Sequence, residues 1–361
     1  MDNDLHYWIA LSTVLYGRQL KRLMDGFPSG EAAWRASQQE LARVGFEPQT
    51  VEKILAEREQ LDPETAWTKI ERHNLSIVTR GDQNYPATLK ETYDAPALLF
   101  YRGELPADSE KLIAVVGTRS FSAYGKAATV TLVRELVRTG LTIVSGLARG
   151  VDALAHETTL EVGGRTIAVL GSGLDQANIY PREHLRLAQR IIEAGGAVMS
   201  EYPPGVGPER HHFPERNRII AGLSLGTLVV EAPETSGALI TAKIALDCNR
   251  EVMAVPGSIF ERTAAGTNGL LKLGARLVTS AADVLDALQL SAQTVSSAPI
   301  TADLTDTERA IIAAVVGGPR HVDEIGAMTN LDAATLLSTL SLLELRGAVK
   351  DTGGKNYIRL T

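Results

Sequence analysis

A single cysteine, Cys248, stands in 361 residues, so no internal disulfide and no cysteine-built zinc cluster can form. That fits a reducing compartment. Aromatic residues make up 5% of the chain against 32 glycines, a balance that disfavours a β-sandwich and favours an α/β protein with many tight strand–helix loops. No apolar run approaches the ~18 residues that span a bilayer. The acidic start (Asp2, Asp4) lacks a basic stretch before an apolar run, so no signal peptide is legible. The expectation is a soluble, cytoplasmic protein with no membrane association. A broadly basic surface is lacking too, because the net charge is −7. Lys and Arg minus Asp and Glu comes to −6 over residues 1–110, +1 over 111–290 and −2 over 291–361. Any phosphate site must therefore be local.

What is present is 44% hydrophobic residues and length enough for two or three domains. Residues 1–72 carry helical apolar spacing at Ile9–Leu23 and Val51–Ile70. Leu41–Phe46 before a charged helix resembles a helix–hairpin–helix, but a plain helical packing domain is the preferred reading. Extended runs at Leu75–Thr79 and Leu98–Tyr101 read as edge strands joining this module to the core. From Lys111 the alternation becomes regular. Strand-like runs fall at Leu112–Val116, Leu141–Ser145, Thr166–Leu170, Ala197–Glu201, Thr227–Glu231, Glu251–Val255 and Arg276–Val278. Helical stretches lie between them, several closing on glycine (Gly140, Gly163, Gly195, Gly274). The spacing predicts an α/β core, an extended Rossmann-like, doubly wound, mostly parallel sheet, over residues 73–290. Residues 291–303 read as a Ser/Ala/Thr/Pro linker. Residues 304–361 then read as a winged helix: Thr305–Val316, Val322–Met328 and Ala333–Arg346 are helical, and a hairpin turns at Gly353-Gly354. Asp323 and Glu324 on its second helix suit an interaction module better than a duplex reader.

In open parallel sheets ligands bind beyond the carboxyl ends of the strands. Gly117-Thr118-Arg119 follows one such end and offers close backbone approach, a hydroxyl and a bidentate grip for a phosphate. Gly146 and Arg149 follow the next, in Ser145–Gly150 at a helix start. Arg210, His211, His212, Phe213, Arg216, Asn217 and Arg218 gather charge and hydrogen-bond donors around one aromatic ring. A single strand needs that combination, since arginines track phosphates and a ring stacks any base. For Arg216 and Arg218 pairing with a core carboxylate is an equal alternative. Ser236-Gly237 opens a further helix bearing Lys243, one more anion point. Asp152 and His156 share a helix face but lack a third ligand, and the two adjacent histidines lack one as well, so no metal is expected. Glu201 and Glu231 each end a strand and could lie near each other. As a pair they would suit glycosidic cleavage, but orienting arginines or capping helices is the preferred reading. Gly171-Ser172-Gly173 follows the wrong strand for a dinucleotide, and no Walker A sequence occurs. No catalytic residue and no cofactor is expected.

These loops together resemble the DNA-processing protein A family (DprA, also called Smf). The matching residues run from Val115–Arg119 through Ser145–Asp152, Ala155-His156, Tyr180-Pro181, Phe213–Ile220 and Val230–Ala232 to Ser236–Ala242, Ala254–Gly257 and Gly266–Asn268. The resemblance implies a sterile-alpha-motif-like helical domain over 1–72, a Rossmann-like core and a C-terminal winged helix. It implies a single-stranded-DNA-binding homodimer without a cofactor or enzymatic activity, which loads the RecA recombinase during natural transformation. It carries the DNA-contacting role onto Gly117, Thr118, Arg119, Arg210, Phe213 and the Arg216–Arg218 segment. Apolar residues near Ile259–Leu271 are the candidate dimer face. A nucleotide phosphoribohydrolase on a related sheet is the main enzyme alternative. Its PGGxGTxxE motif is missing where this chain reads Ala232–Gly237.

Overall fold

The computed structural model describes residues 3–290, 305–315, 318–345, 348–351 and 354–359. The chain divides into two compact units, Met1–Gln293 and Thr294–Thr361. The expected linker over 291–303 lies outside the described residues, as do Arg346, Val316 and Gly353.

The first unit opens with six helices: α1 (Asn3–Ser12), α2 (Arg18–Gly26), α3 (Gly30–Arg35), α4 (Gln38–Arg43), α5 (Pro48–Gln60) and α6 (Pro63–Arg72). Their starts are set locally. Ser37 and Glu40 form a capping box at α4, and Asp62 caps α6 ahead of Pro63. Trp8, Ile9, Leu11, Leu20, Leu23 and Ile54 share one apolar cluster with Leu98, Phe100, Leu170 and Val198. The helices therefore lie on the sheet rather than standing apart from it.

The sheet has nine strands: β1 (Ser76–Thr79), β2 (Leu98–Gly103), β3 (Leu112–Val116), β4 (Thr142–Ser145), β5 (Thr166–Leu170), β6 (Ala197–Ser200), β7 (Gly226–Val229), β8 (Glu251–Ala254) and β9 (Arg276–Leu277). Their order is β1-β2-β6-β5-β4-β3-β7-β8-β9. β1 pairs antiparallel with β2, and β2 antiparallel with β6, while every other pairing is parallel. One expectation is corrected here: β2 is an interior strand, because Leu98, Leu99 and Phe100 are buried and both of its edges are paired. Only β1 of that pair is an edge.

Helices cover both faces. After the short α7 (Ala87–Lys90) come α8 (Ala123–Arg138), α9 (Val151–Glu161), α10 (Leu185–Glu193), α11 (His212–Leu223), α12 (Gly237–Asp247), α13 (Ala265–Lys272) and α14 (Ala281–Ala287). Alternate residues of β3 separate the two cores, as period-2 strands require. Leu112, Ala114 and Val116 pack with Ile219, Ile220 and Leu223 of α11, whereas Ile113 and Val115 pack with Leu132, Val133 and Leu136 of α8. From β3 the chain winds one way to β4, β5 and β6, then returns to β7 on the other side of β3. The switch point lies between β3 and β7, where the strand ends leave a crevice.

The second unit has α15 (Asp306–Ala314), β10 (Arg320–His321), α16 (Val322–Thr329), α17 (Ala333–Leu345), β11 (Val349–Asp351) and β12 (Asn356–Arg359). Its sheet order is β10-β12-β11. Ile311, Ile325, Leu336, Leu340, Leu343 and Tyr357 form its own core. Three helices and a small antiparallel sheet make this a winged helix.

Candidate functional site

At the switch point a cleft of about 570 Å³ opens between the loop after β3, the start of α11 and the start of α12. Gly117, Thr118, Arg119, Arg210, Phe213, Arg216, Asn217, Ser236 and Gly237 all line it. Each is held by a local cause. A Cβ on Gly117 would lie 2.6 Å from Val151 and 2.9 Å from the Glu231 carbonyl, so only glycine lets this loop pass. Thr118 donates its N–H to the Glu231 carbonyl at 2.7 Å, and its hydroxyl accepts from Ser120 N–H at 3.2 Å. Ser236 caps α12 by accepting from Ala238 N–H at 3.2 Å, leaving the Gly237 end of that helix turned to the cleft.

Phe213 is the centre of the arrangement. The Arg119 guanidinium lies 5.7 Å from its ring centroid, and the Tyr180 ring sits 5.7 Å away on a 49° tilt. Tyr180 is 43% exposed and Arg119 and Arg210 are exposed, so the ring stands in an open mouth rather than a core. Among the described residues neither arginine has a carboxylate partner.

Arg216 enters the same cleft from below. It is 4% exposed, and its guanidinium donates to the Gly146 carbonyl at 2.6 Å and to the Val169 carbonyl. Burial pulls its pKa down to about 10 while Asp152 pulls it back, so it remains charged at neutral pH. Asp152 is itself pushed up by burial, against the opposing pull of Arg216. Its carboxylate accepts from Gly146 N–H at 3.1 Å. Gly146 is glycine because a Cβ there would lie 2.5 Å from the Arg216 guanidinium. Arg216 thus forms the charged floor of the cleft.

The remaining positions fall elsewhere. Arg149 borders a small recess beside Arg119 and Phe213, bound bidentately by Glu183 at 2.7 and 2.9 Å. Arg218 turns away from the cleft. It meets both oxygens of buried Glu201 at 2.6 and 2.5 Å, with Asp94 at 3.5 Å. Burial pushes the Glu201 carboxyl up and Arg218 opposes that rise. Lys243, on the second turn of α12, is exposed and lies outside the cleft. Tyr180, Thr235, Ile240 and Thr241 line the cleft without having been singled out as contacts.

Glu201 and Glu231 are not neighbours, contrary to one expectation. β6 and β7 stand four strand spacings apart, about 19 Å at ~4.8 Å each. A glycosidase pair works across roughly 5–9.5 Å. Instead Glu201 holds Arg218, and Glu231 accepts from Ser122 N–H at 3.0 Å at the start of α8. His156 is buried with Nδ1 2.7 Å from the Thr166 hydroxyl, and burial pulls it down to about 3, which makes it a neutral packing group.

Two larger grooves, of about 730 and 630 Å³, lie between the N-terminal helices and the core. Their charges are largely spent on one another. Lys21 pairs with Asp25, Arg18 with Asp94, and Arg22 donates to the Gly45 carbonyl while lying 5.9 Å from the Phe46 ring. Among the described residues, it is the 570 Å³ cleft that combines arginines without a carboxylate partner, a ring and a helix start.

Comparison with known proteins points the same way. The model of DNA recombination-mediator protein A matches residues 76–289, and that of the DprA winged helix domain matches 295–355. Protein Smf of Synechocystis is 38% identical over 99% of both chains. The X-ray structure of DNA processing protein A from Streptococcus pneumoniae is similar with a TM-score of 0.67 and 37% identity, covering 79% of this chain and 98% of that one. The Helicobacter pylori DNA processing protein A, solved for its single-stranded DNA binding mode, is similar with a TM-score of 0.53 and 31% identity, covering 60% and 95%. On its fold, its cleft and these matches, the chain belongs to the DNA recombination-mediator protein A (DprA/Smf) family.

Proposed function

We propose that the switch-point cleft grips single-stranded DNA. The observation that carries this reading is Phe213, an accessible ring between Tyr180 and Arg119, with Arg210 beside it and, among the described residues, no carboxylate on either arginine. A base of any identity stacks on such a ring, while arginines and the α12 amides take the phosphates, so the grip has no need of sequence. Gly117, Thr118, Arg119, Arg210, Phe213, Asn217, Ser236 and Gly237 would face the strand, Gly146 and Arg216 would support it, and Arg149 would extend it. The Helicobacter relative's single-strand binding mode supports the assignment. In this reading the chain is a cytoplasmic homodimeric recombination mediator, without enzymatic activity, that protects incoming DNA and hands it to RecA during natural transformation. No helix among the described residues is long and apolar enough to cross a membrane.

The experiment is an anisotropy titration of labelled oligo-dT and of a matched duplex across a salt series. The single strand should bind more tightly, with log affinity falling by roughly 0.7 per phosphate contacted as log salt rises. Tighter duplex binding, or release of base from a nucleoside monophosphate, would replace this reading with a transcription regulator or a phosphoribohydrolase.

A further inference from the structure

At the lip of the cleft, outside its lining, the turn that leads from β6 into the first residue of α11 gathers three side chains of types able to ligate a metal. Glu209, His211 and His212 each offer one donor atom, and the three atoms all lie within 4.8 Å of one another. The turn is closed by His212 N–H donating to the Glu209 carbonyl at 3.1 Å, which brings residues three apart onto one side. His211 Nδ1 is already 3.5 Å from a Glu209 carboxylate oxygen. Donors around a tetrahedral zinc ion, with bonds of about 2.1 Å, stand about 3.4 Å apart. That pair therefore already has the edge length of a coordination shell.

The simpler account is a surface ion pair between Glu209 and a protonated His211. Both side chains are more than half exposed, where such a pair contributes little. It also leaves His212 unexplained. His212 is fully buried, and among the described residues neither of its ring nitrogens makes a hydrogen bond of good geometry, although the Gly171 backbone lies close to the ring. Buried imidazoles ordinarily have a partner. The ring is also fixed in place. It packs 4.0 Å from the Tyr202 ring centroid, 5.4 Å from Tyr16 and 4.4 Å from His211. A rigid, buried imidazole without a well-formed hydrogen bond, beside an exposed imidazole and a carboxylate, is a preorganised ligand set with an opening to solvent.

We propose that Glu209, His211 and His212 bind one divalent transition-metal ion of the zinc class, with the outer coordination position left to water. Two imidazoles and a carboxylate suit zinc, cobalt or nickel and not calcium or magnesium, which take oxygen shells. The ion would tie the turn to α11 and hold Arg210, which lies between the ligands in sequence. The site stands whether or not the neighbouring cleft holds DNA.

The test uses the full chain, stripped of metal with a chelator and dialysed. Zinc chloride is added in a calorimeter, and cobalt chloride is followed by its visible absorption, which intensifies in a four-coordinate nitrogen–oxygen site. One equivalent should bind in the micromolar range. His211→Asn and Glu209→Gln, both at exposed positions that the fold tolerates, should each weaken it about tenfold or more, a loss of ~1.4 kcal/mol. His73→Asn, at a distant histidine, should leave it unchanged. Binding only at millimolar metal, or a titration that neither ligand variant alters, would overturn the proposal.

Discussion

The Arg119 guanidinium lies over the Phe213 ring, 5.7 Å from its centroid. That geometry holds the cation in place without a carboxylate, yet it covers the face on which a base would stack. A strand entering the cleft must draw Arg119 off the ring and onto a phosphate. The two side chains therefore make separable contributions to binding. Arg119→Ala should lower oligo-dT affinity and flatten the salt dependence by roughly 0.7 in log–log slope. Phe213→Ala should weaken binding by ~1–3 kcal/mol and leave the slope nearly as it was. Equal slopes for wild type and Arg119→Ala would remove Arg119 from the site.

Arg216 should respond differently from Arg119, although both line the cleft. It is 4% exposed and bound to the Gly146 carbonyl, with Asp152 as its counter-charge. Removing one partner of a buried charge pair costs about 3–5 kcal/mol. Asp152→Ala and Arg216→Ala should therefore shift the urea midpoint strongly downward, while Arg119→Ala leaves it in place. An Arg216→Ala protein of wild-type stability that nevertheless loses DNA would make Arg216 a direct contact instead of a floor.

Much of this was legible in the chain. β3 and β5 fall where their apolar runs do, because strands buried on both faces carry no polar interruption. Phe213, Arg216, Asn217 and Ile220 follow the helical i, i+3, i+4, i+7 spacing, and all four line the cleft on α11. The same spacing separates Arg216 from Arg218, since residues two apart on a helix do not face the same way. Strand order is what the sequence conceals. It places Glu201 and Glu231 four strands apart and keeps Leu98–Tyr101 off the edge, and only long-range pairing decides it. Tyr180 reaches Phe213 across 33 positions of chain, a contact that no local pattern announces.

Acid sensitivity should trace in part to His156. Its pKa falls from 6.5 to about 3 on folding because burial disfavours the charged ring. The folded state thus binds fewer protons than the unfolded one between those values, and stability falls as pH drops below 6.5. One such group costs at most ~1.4 kcal/mol per pH unit. His156→Gln should flatten the decline in urea-unfolding free energy between pH 6.5 and 5, compared as slopes so that any loss of packing drops out. The flattening is partial, because burial depresses His212 in the same direction. Parallel slopes for variant and wild type would show that His156 does not titrate on unfolding in this range.

Arg149 offers the last test, through its partner. Glu183 occupies its guanidinium at 2.7 and 2.9 Å, on an exposed rim that adjoins Arg119 and Phe213. A carboxylate there competes with any phosphate for the same fork of donors. The pair is exposed, so dissolving it costs the fold little. Glu183→Gln should therefore bind oligo-dT more tightly at low salt, with a steeper salt slope by up to roughly 0.7 as one more phosphate finds a cation. The double variant Glu183→Gln/Arg149→Ala should lose that gain. If Glu183→Gln binds no better than wild type, the strand does not reach Arg149, and the grip ends at Arg119 and Phe213.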